Sequence, residues 1–240
     1  MNVFIVTFDY PPAIGGVSTR VHNYVKQLSA LKNSVVVGVL EPRDDIGFEK
    51  QGQVKIVRCP SNPFKLFRTL TALQRVAGRP DVVHVASGAD TPIGVASLIW
   101  GRLRGAKVFI SVYGKDLLTA KHLPLRRGLL SLSMLLARKI GVNSRATMKL
   151  LPRWAVNKAW VLYPGVDVDS VEDFLRKHQL APKTARRVLF VGRLVERKGL
   201  KELLKAFQKV LGQLADVELV IAVSYTHLRA HETEADLVCR

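Results

Sequence analysis

The feature that most limits what this chain can fold into is its rhythm: short β-branched apolar runs alternate with longer stretches of helical period. Val3–Phe8, Val35–Leu40, Val54–Arg58, Val82–Val85, Val108–Val112, Ile140–Asn143, Trp160–Tyr163, Val188–Val191 and Val217–Ile221 read as strands. Between them Val17–Leu31, Phe64–Ala77, Thr91–Leu103, Leu125–Ala137, Arg145–Leu150 and Gly199–Leu214 carry apolar residues at the spacing of one helix face. Several strands are apolar on both faces, as strands covered by helices on either side must be. The pattern predicts an α/β, doubly wound, Rossmann-like sheet. A break at Tyr163-Pro164-Gly165 suggests a first domain over 1–165, a linker over 166–186 and the start of a second Rossmann-like domain over 187–222. From 223 to 240 the text loses both sheet and helix period, and it reads like the translated read-through of a sequencing adapter. His227 and His231 stand there at a metal-binding i, i+4 spacing, but with no core to hold them they are set aside.

Charge narrows the partners. Lys and Arg number 37 against 19 Asp and Glu, a net +18, which attracts polyanions: nucleic acid, anionic lipid or phosphorylated ligands. No aromatic interleaving or nucleic-acid motif accompanies the charge, so nucleic acid is not the expected partner. Cys59 and Cys239 cannot form a disulfide framework, which suits a reducing compartment. The start MNVFIVTF lacks the features of a signal peptide, and no run of ~18 apolar residues offers a membrane span. The expected location is cytoplasmic, with peripheral association on the inner face of the cell membrane.

Four segments carry candidate chemistry. Asp9-Tyr10-Pro11-Pro12-Ala13-Ile14-Gly15-Gly16 joins the first strand to a helix. Glycines at such a turn let a backbone approach an anion at the helix N-terminus, and Ser18 or Thr19 could cap the helix or touch the ligand. It is not GxGxxG, so a dinucleotide is not expected. Ser111-Val112-Tyr113-Gly114-Lys115-Asp116 places a glycine turn, a cation and a carboxylate on the same sheet edge. Asp167 and Asp169 form an Asp-x-Asp with no further ligand nearby in sequence, so no metal is expected. In VLFVGRLVERK, Val188–Lys198, a strand ends at Gly192-Arg193 and a helix begins after Lys198. Arg193 can grip a phosphate bidentately and Lys198 adds a point charge, which suits stabilising a leaving diphosphate without a metal.

Together these segments resemble the family 4 (group 1) retaining glycosyltransferases with the GT-B fold. Phe8, Pro11, Pro12, Gly15 and Gly16 match the family's F-x-x-P-P-x-x-G-G, Asp81–His84 its D-V-V-H, and Tyr163–Asp167 stands at its P-N-G-V-D. VLFVGRLVERKGLKELLKAF is close to the opening of its donor-binding domain. The resemblance implies transfer of a hexose-type sugar from a nucleoside-diphosphate sugar to a hydroxyl acceptor, such as a lipid-linked or polysaccharide glycan of the cell envelope. It places Gly15 and Gly16 at donor phosphate and acceptor, Arg193 and Lys198 on the diphosphate, and Tyr113 and Asp116 at catalytic positions, with no cofactor beyond the sugar nucleotide. Two departures stand out. Tyr113 replaces the histidine of the family's His-Gly-x-Asp, and the family's paired glutamates, seven residues apart, are absent, which predicts an inactive fragment with an incomplete donor-binding domain. The rival readings are a nucleotide-sugar epimerase of the same fold and a basic membrane- or nucleic-acid-binding module.

A membrane surface has its own signal. On a helical wheel of Phe64–Arg79, Lys65, Arg68, Arg75 and Arg79 share a narrow sector opposite Leu66, Leu70, Leu73 and Ala77, a pattern able to lie on anionic lipid. Pro124–Lys139 is similar but more apolar and reads as core with a basic lip.

Overall fold

The computed structural model describes residues 1–178, 186–192, 194–214 and 216–223. The chain divides into two compact units, Met1–Asp167 and one that begins at Val168.

The first unit is built on eight strands: β1 (Asn2–Thr7), β2 (Ser34–Glu41), β3 (Gly47–Gln51), β4 (Val54–Pro60), β5 (Val82–Val85), β6 (Lys107–Val112), β7 (Lys139–Val142) and β8 (Ala159–Val161). Their order is β3-β4-β2-β1-β5-β6-β7-β8, and every pairing is parallel except that of β3 on β4. The order reverses at β1, so the loops leaving β1 and β5 diverge and open a crevice at the carboxyl edge of the sheet. Helices α1 (Gly16–Ala30), α2 (Leu66–Ala77), α3 (Pro92–Leu103), α4 (Gly114–His122), α5 (Pro124–Leu136), α6 (Arg145–Lys149) and α7 (Arg153–Val156) complete the unit.

Alternation along the strands sorts the core into two layers. Phe4 and Val6 of β1 face one side, with Val83, Val85, Val108, Ile110 and Ile140, under Leu73 of α2, Leu98 of α3 and Leu130 of α5. Val3 and Ile5 face the other, with Val35, Val37 and Ile56, under Val21 and Val25 of α1. Gly38 makes room for α2, since a Cβ there would lie 2.7 Å from a Leu73 methyl. The helix starts follow from their sequence: Thr91 accepts the Gly94 N–H at 3.2 Å ahead of Pro92, and Ser144 accepts that of Thr147 at 3.1 Å.

Besides the short helix α7, three elements depart from the expected string. β3 (GFEKQ) is exposed except at Gly47 and has no apolar alternation. It forms because Arg58 of β4, itself buried, holds Glu49 on β3 at 2.5 Å and Glu41 on β2. Residues 114–122 form α4 rather than a solvated turn, because Asp116 caps the helix start. Val168–Lys177, within the stretch expected as an interdomain linker over 166–186, forms a helix, α8. Its Val168, Val171 and Leu175 fall at helical spacing within a polar stretch.

The second unit holds α8, then β9 (Arg186–Val191), a 3-10 turn at Glu196–Lys198, α9 (Leu200–Leu211) and β10 (Val217–Ala222). β9 and β10 pair in parallel, Val188 opposite Leu219 and Phe190 opposite Ile221. Among its described residues only Leu219 is buried, so this unit has almost no core of its own. The sequence expectations on Arg193 and on the tail from 224 fall outside the described residues. Among the described residues no helix is long and apolar enough to cross a membrane.

Candidate functional site

The crevice at the switch point is stitched from β1 and β5. Ser87, just past β5, accepts the Phe8 N–H at 2.7 Å and lies 3.0 Å from the Thr7 hydroxyl. The loop from Phe8 to Gly15 is held from beneath by buried Tyr10, whose ring meets His22 edge-on at 5.8 Å, and by Arg58, which donates to the Pro11 carbonyl at 2.6 Å.

Gly15 leads into α1 with φ 167°, an extended conformation open to any residue. A Cβ on Gly15 or Gly16 would meet nothing within 4 Å. Neither backbone geometry nor internal packing therefore asks for glycine, and the bare backbone faces open space. No side chain caps α1 and no acidic residue stands in its first turn. Its leading N–H groups and positive dipole end therefore have no side-chain partner among the described residues. Ser18, a candidate contact in the sequence, is buried instead, while Thr19 is exposed.

Tyr113 and Asp116 lie at the start of α4 on the same edge. The Asp116 carboxylate accepts the Tyr113 N–H at 3.0 Å. Burial raises this carboxyl to about 6; the Tyr113 N–H opposes the rise, and the nearby Asp90 and Asp9 charges add to it. Burial likewise raises the Tyr113 phenol, against the pull of Arg20. Asp9 acts on both residues, which places the β1 and β6 loops in one electrostatic neighbourhood.

Beside them stands a group that the sequence reading left without a role. Arg20 of α1 donates to the Leu162 carbonyl at 2.9 Å and lies over the Tyr113 ring at 5.6 Å. His84 Nε2 is 3.0 Å from the Ser111 hydroxyl, and Tyr24 meets the imidazole edge-on at 5.4 Å. Burial, with Arg20 nearby, lowers His84 to about 4, so it is neutral at pH 7. The Asp81–His84 motif was the available signal. What the sequence lacked was the register that puts His84 and Ser111 at neighbouring positions on one sheet face. These side chains form the polar end of a mainly apolar cavity of about 570 Å³, which runs under α1 along β5–β8 to Trp160 and Leu162.

The remaining candidates lie elsewhere. Asp167 is paired with Lys26 at 2.9 Å, and Asp169 lies in α8. Lys65 precedes α2 and is paired with Asp44. Arg68 and Arg75 are exposed on α2, whereas Arg79 lies past Gly78, where the helix has already ended, and so leaves the wheel sector expected for it. In the second unit Lys198 is exposed and its stem leans over the end of β9, 3.8 Å from where a Gly192 Cβ would sit. Gly199 follows at φ 69°, a left-handed turn that suits glycine, and starts α9 without a side-chain cap.

A doubly wound sheet of this kind, followed by a second parallel strand–helix–strand unit, is the α/β architecture of the GT-B glycosyltransferases to which the chain is similar. A model of Glycosyltransferase Family 4 matches residues 14–170 and one of Glycosyl transferases group 1 matches 171–229. The chain belongs to Glycosyltransferase Family 4. No curated protein matches it in sequence. Among solved structures it is similar to the catalytic domain of starch synthase IV from Arabidopsis thaliana bound to ADP and acarbose. That likeness has a TM-score of 0.58 and 14% identity, over 93% of this chain and 68% of that one. It is also similar to Anabaena HepE in complex with UDP and glucose, with TM-score 0.57 and 16% identity over 92% and 60% of the two chains. A putative UDP-N-acetylglucosamine 2-epimerase from Listeria monocytogenes follows, with TM-score 0.54 and 14% identity over 94% and 63%. The chain thus spans roughly two thirds or less of the length of these structures.

Proposed function

We propose that the protein of which this chain is part transfers a hexose-type sugar from a nucleoside-diphosphate sugar to a hydroxyl acceptor, with retention at the anomeric carbon. The acceptor would be a lipid-linked or polysaccharide glycan of the cell envelope. The observation that carries the reading is the pair of uncapped, glycine-opened helix starts, α1 behind Gly15-Gly16 and α9 behind Lys198-Gly199. Each has backbone N–H groups and a positive dipole end suited to an anion, although Glu202 already stands in the first turn of α9 and no acid stands in that of α1. On this reading Lys198 and Arg193 hold the diphosphate as negative charge builds on it, which removes the need for a metal. Gly15 and Gly16 leave room for donor phosphate and acceptor, and Tyr113 and Asp116 position the reacting sugar. Solved structures of the same fold bound to UDP or ADP are in keeping with a nucleotide donor.

The test is calorimetric titration of UDP and ADP into the chain and into an Arg193→Ala, Lys198→Ala variant. Loss of two charge-assisted contacts should weaken binding by at least about tenfold. Equal affinity in the two proteins would sink the assignment. Because a putative 2-epimerase shares the fold, the products formed from donor alone separate the chemistries. A transferase gives at most slow hydrolysis, an epimerase a new sugar nucleotide.

The exposed Arg68 and Arg75 of α2, with the net charge of +18, support a peripheral position on anionic membrane, where a lipid-linked acceptor would be met.

A further inference from the structure

The helices over the first core layer lie side by side: α3 packs against α2 on one flank and α5 on the other. A helix at the surface normally turns a polar face outward, and one that is apolar all round is normally buried. α3 and α5 break that rule. α3 buries Ile93, Leu98 and Trp100, yet its outer face carries Ile99 and Leu103, the latter 81% exposed. α5 buries Leu130 and Met134, yet turns outward Leu125, Leu132 and Leu135, exposed by 75%, 39% and 57%. The outward leucines of α5 recur at seven and three residues, so they form a continuous ridge rather than scattered single side chains.

The charges carried by these three helices have one sign, although buried Asp90 pairs with Arg126 of α5 and Asp45 lies near Arg68. None of α2, α3 and α5 contains an Asp or Glu. From Thr91 to Val166 there are thirteen Lys and Arg and one acid, Asp116, which caps α4. Exposed Arg68 and Arg75 flank the ridge on the α2 side, and exposed Lys121 and Arg127 flank it at the start of α5. A second copy docking here would bring two such surfaces together and set like charges against each other. An anionic bilayer instead takes leucines into its acyl region and holds the flanking cations at its headgroups.

We infer that the outer faces of α3 and α5 form a membrane-inserting ridge for an anionic lipid surface, with α2 supplying flanking cations. The inference rests on the peripheral-membrane reading above but differs from it in kind. The basic face of α2 alone would give a purely electrostatic attachment, whereas the ridge adds insertion of apolar side chains.

Co-sedimentation separates the two. The chain is mixed with vesicles of phosphatidylcholine alone and of phosphatidylcholine with about one third phosphatidylglycerol. Binding to the mixed vesicles only is expected. A Leu103→Gln, Leu125→Gln, Leu135→Gln variant, altered only at exposed positions, should melt like the parent and bind at least about tenfold more weakly. An Arg68→Gln, Arg75→Gln variant should bind more weakly with a shallower salt dependence. If the leucine variant binds like the parent while the arginine variant does not, the ridge is refuted and electrostatic attachment stands. If the parent binds neither vesicle, both fall. If light scattering shows a dimer that the leucine variant dissolves, the face belongs to a second copy and the inference is overturned.

Discussion

Replacing Asp116 by Asn tests the electrostatics of the candidate site directly. The carboxylate sits at the start of α4, accepts the Tyr113 N–H at 3.0 Å and is raised by burial from the ordinary 3.8 to about 6. That difference corresponds to roughly 3 kcal/mol by which the fold disfavours its charged form. Because the folded value is the higher, the proton's contribution to stability is fully present below pH 3.8. It is lost as the pH climbs through 6. An asparagine keeps an oxygen for the Tyr113 N–H and carries no charge at any pH. Allowing for a weaker neutral hydrogen bond, Asp116→Asn should stabilise the first unit by about 1–3 kcal/mol near pH 8 and by well under 1 kcal/mol near pH 4. His84, lowered from 6.5 to about 4, also costs stability as the pH falls through that range. It does so equally in both proteins and cancels in the comparison. Urea unfolding followed by tryptophan fluorescence is the assay, since Trp100, Trp154 and Trp160 all lie in the first unit. A variant less stable than the parent near pH 8, or a gain of the same size at both pH values, would refute the reasoning.

Three further outcomes are expected. Gly94→Ala would drive a methyl into the Gly88 carbonyl, backbone that cannot swing aside, and should cost at least about 2 kcal/mol in the same urea assay. Gly16→Ala meets open space and should leave stability within about 0.5 kcal/mol of the parent, yet lower nucleotide affinity in calorimetry if that space belongs to the ligand. Arg58→Met leaves Glu41, Glu49 and the Pro11 carbonyl without their common donor. Both glutamates still reach water, so urea unfolding should show a loss of about 2–3 kcal/mol, at or below the lower end of the roughly 3–5 kcal/mol for breaking a fully buried pair.

How far the sequence could be read depended on whether a residue's partner was local. The parallel strands β1, β2, β4 to β7, β9 and β10 announce themselves as short β-branched apolar runs, several of them apolar on both faces, and a run such as VFIV or VVVGVL has few alternatives. β3 did not, because GFEKQ becomes a strand only through Arg58 on its neighbour, a contact nine residues away at Glu49. α4 did not, because Gly114 suggested a turn and the cap came from Asp116, which had been read as chemistry rather than architecture. The same limit governs the site. Gly15 and Gly16 were visible as a motif, but only the structure shows that nothing among the described residues requires them to be glycine. His84 and Ser111 lie far apart in sequence, and it is the parallel register, His84 opposite Phe109 with Ser111 just beyond, that brings them together, with Arg20 of α1 nearby. The outward leucines of α5 were legible as apolar residues but misread as core. Periodicity reports that a helix has an apolar face, and α5 has two. What decides which face is buried is the sheet beneath it, so the second face, on helices whose own charges are all positive, had to be seen in the fold before it could be given a partner.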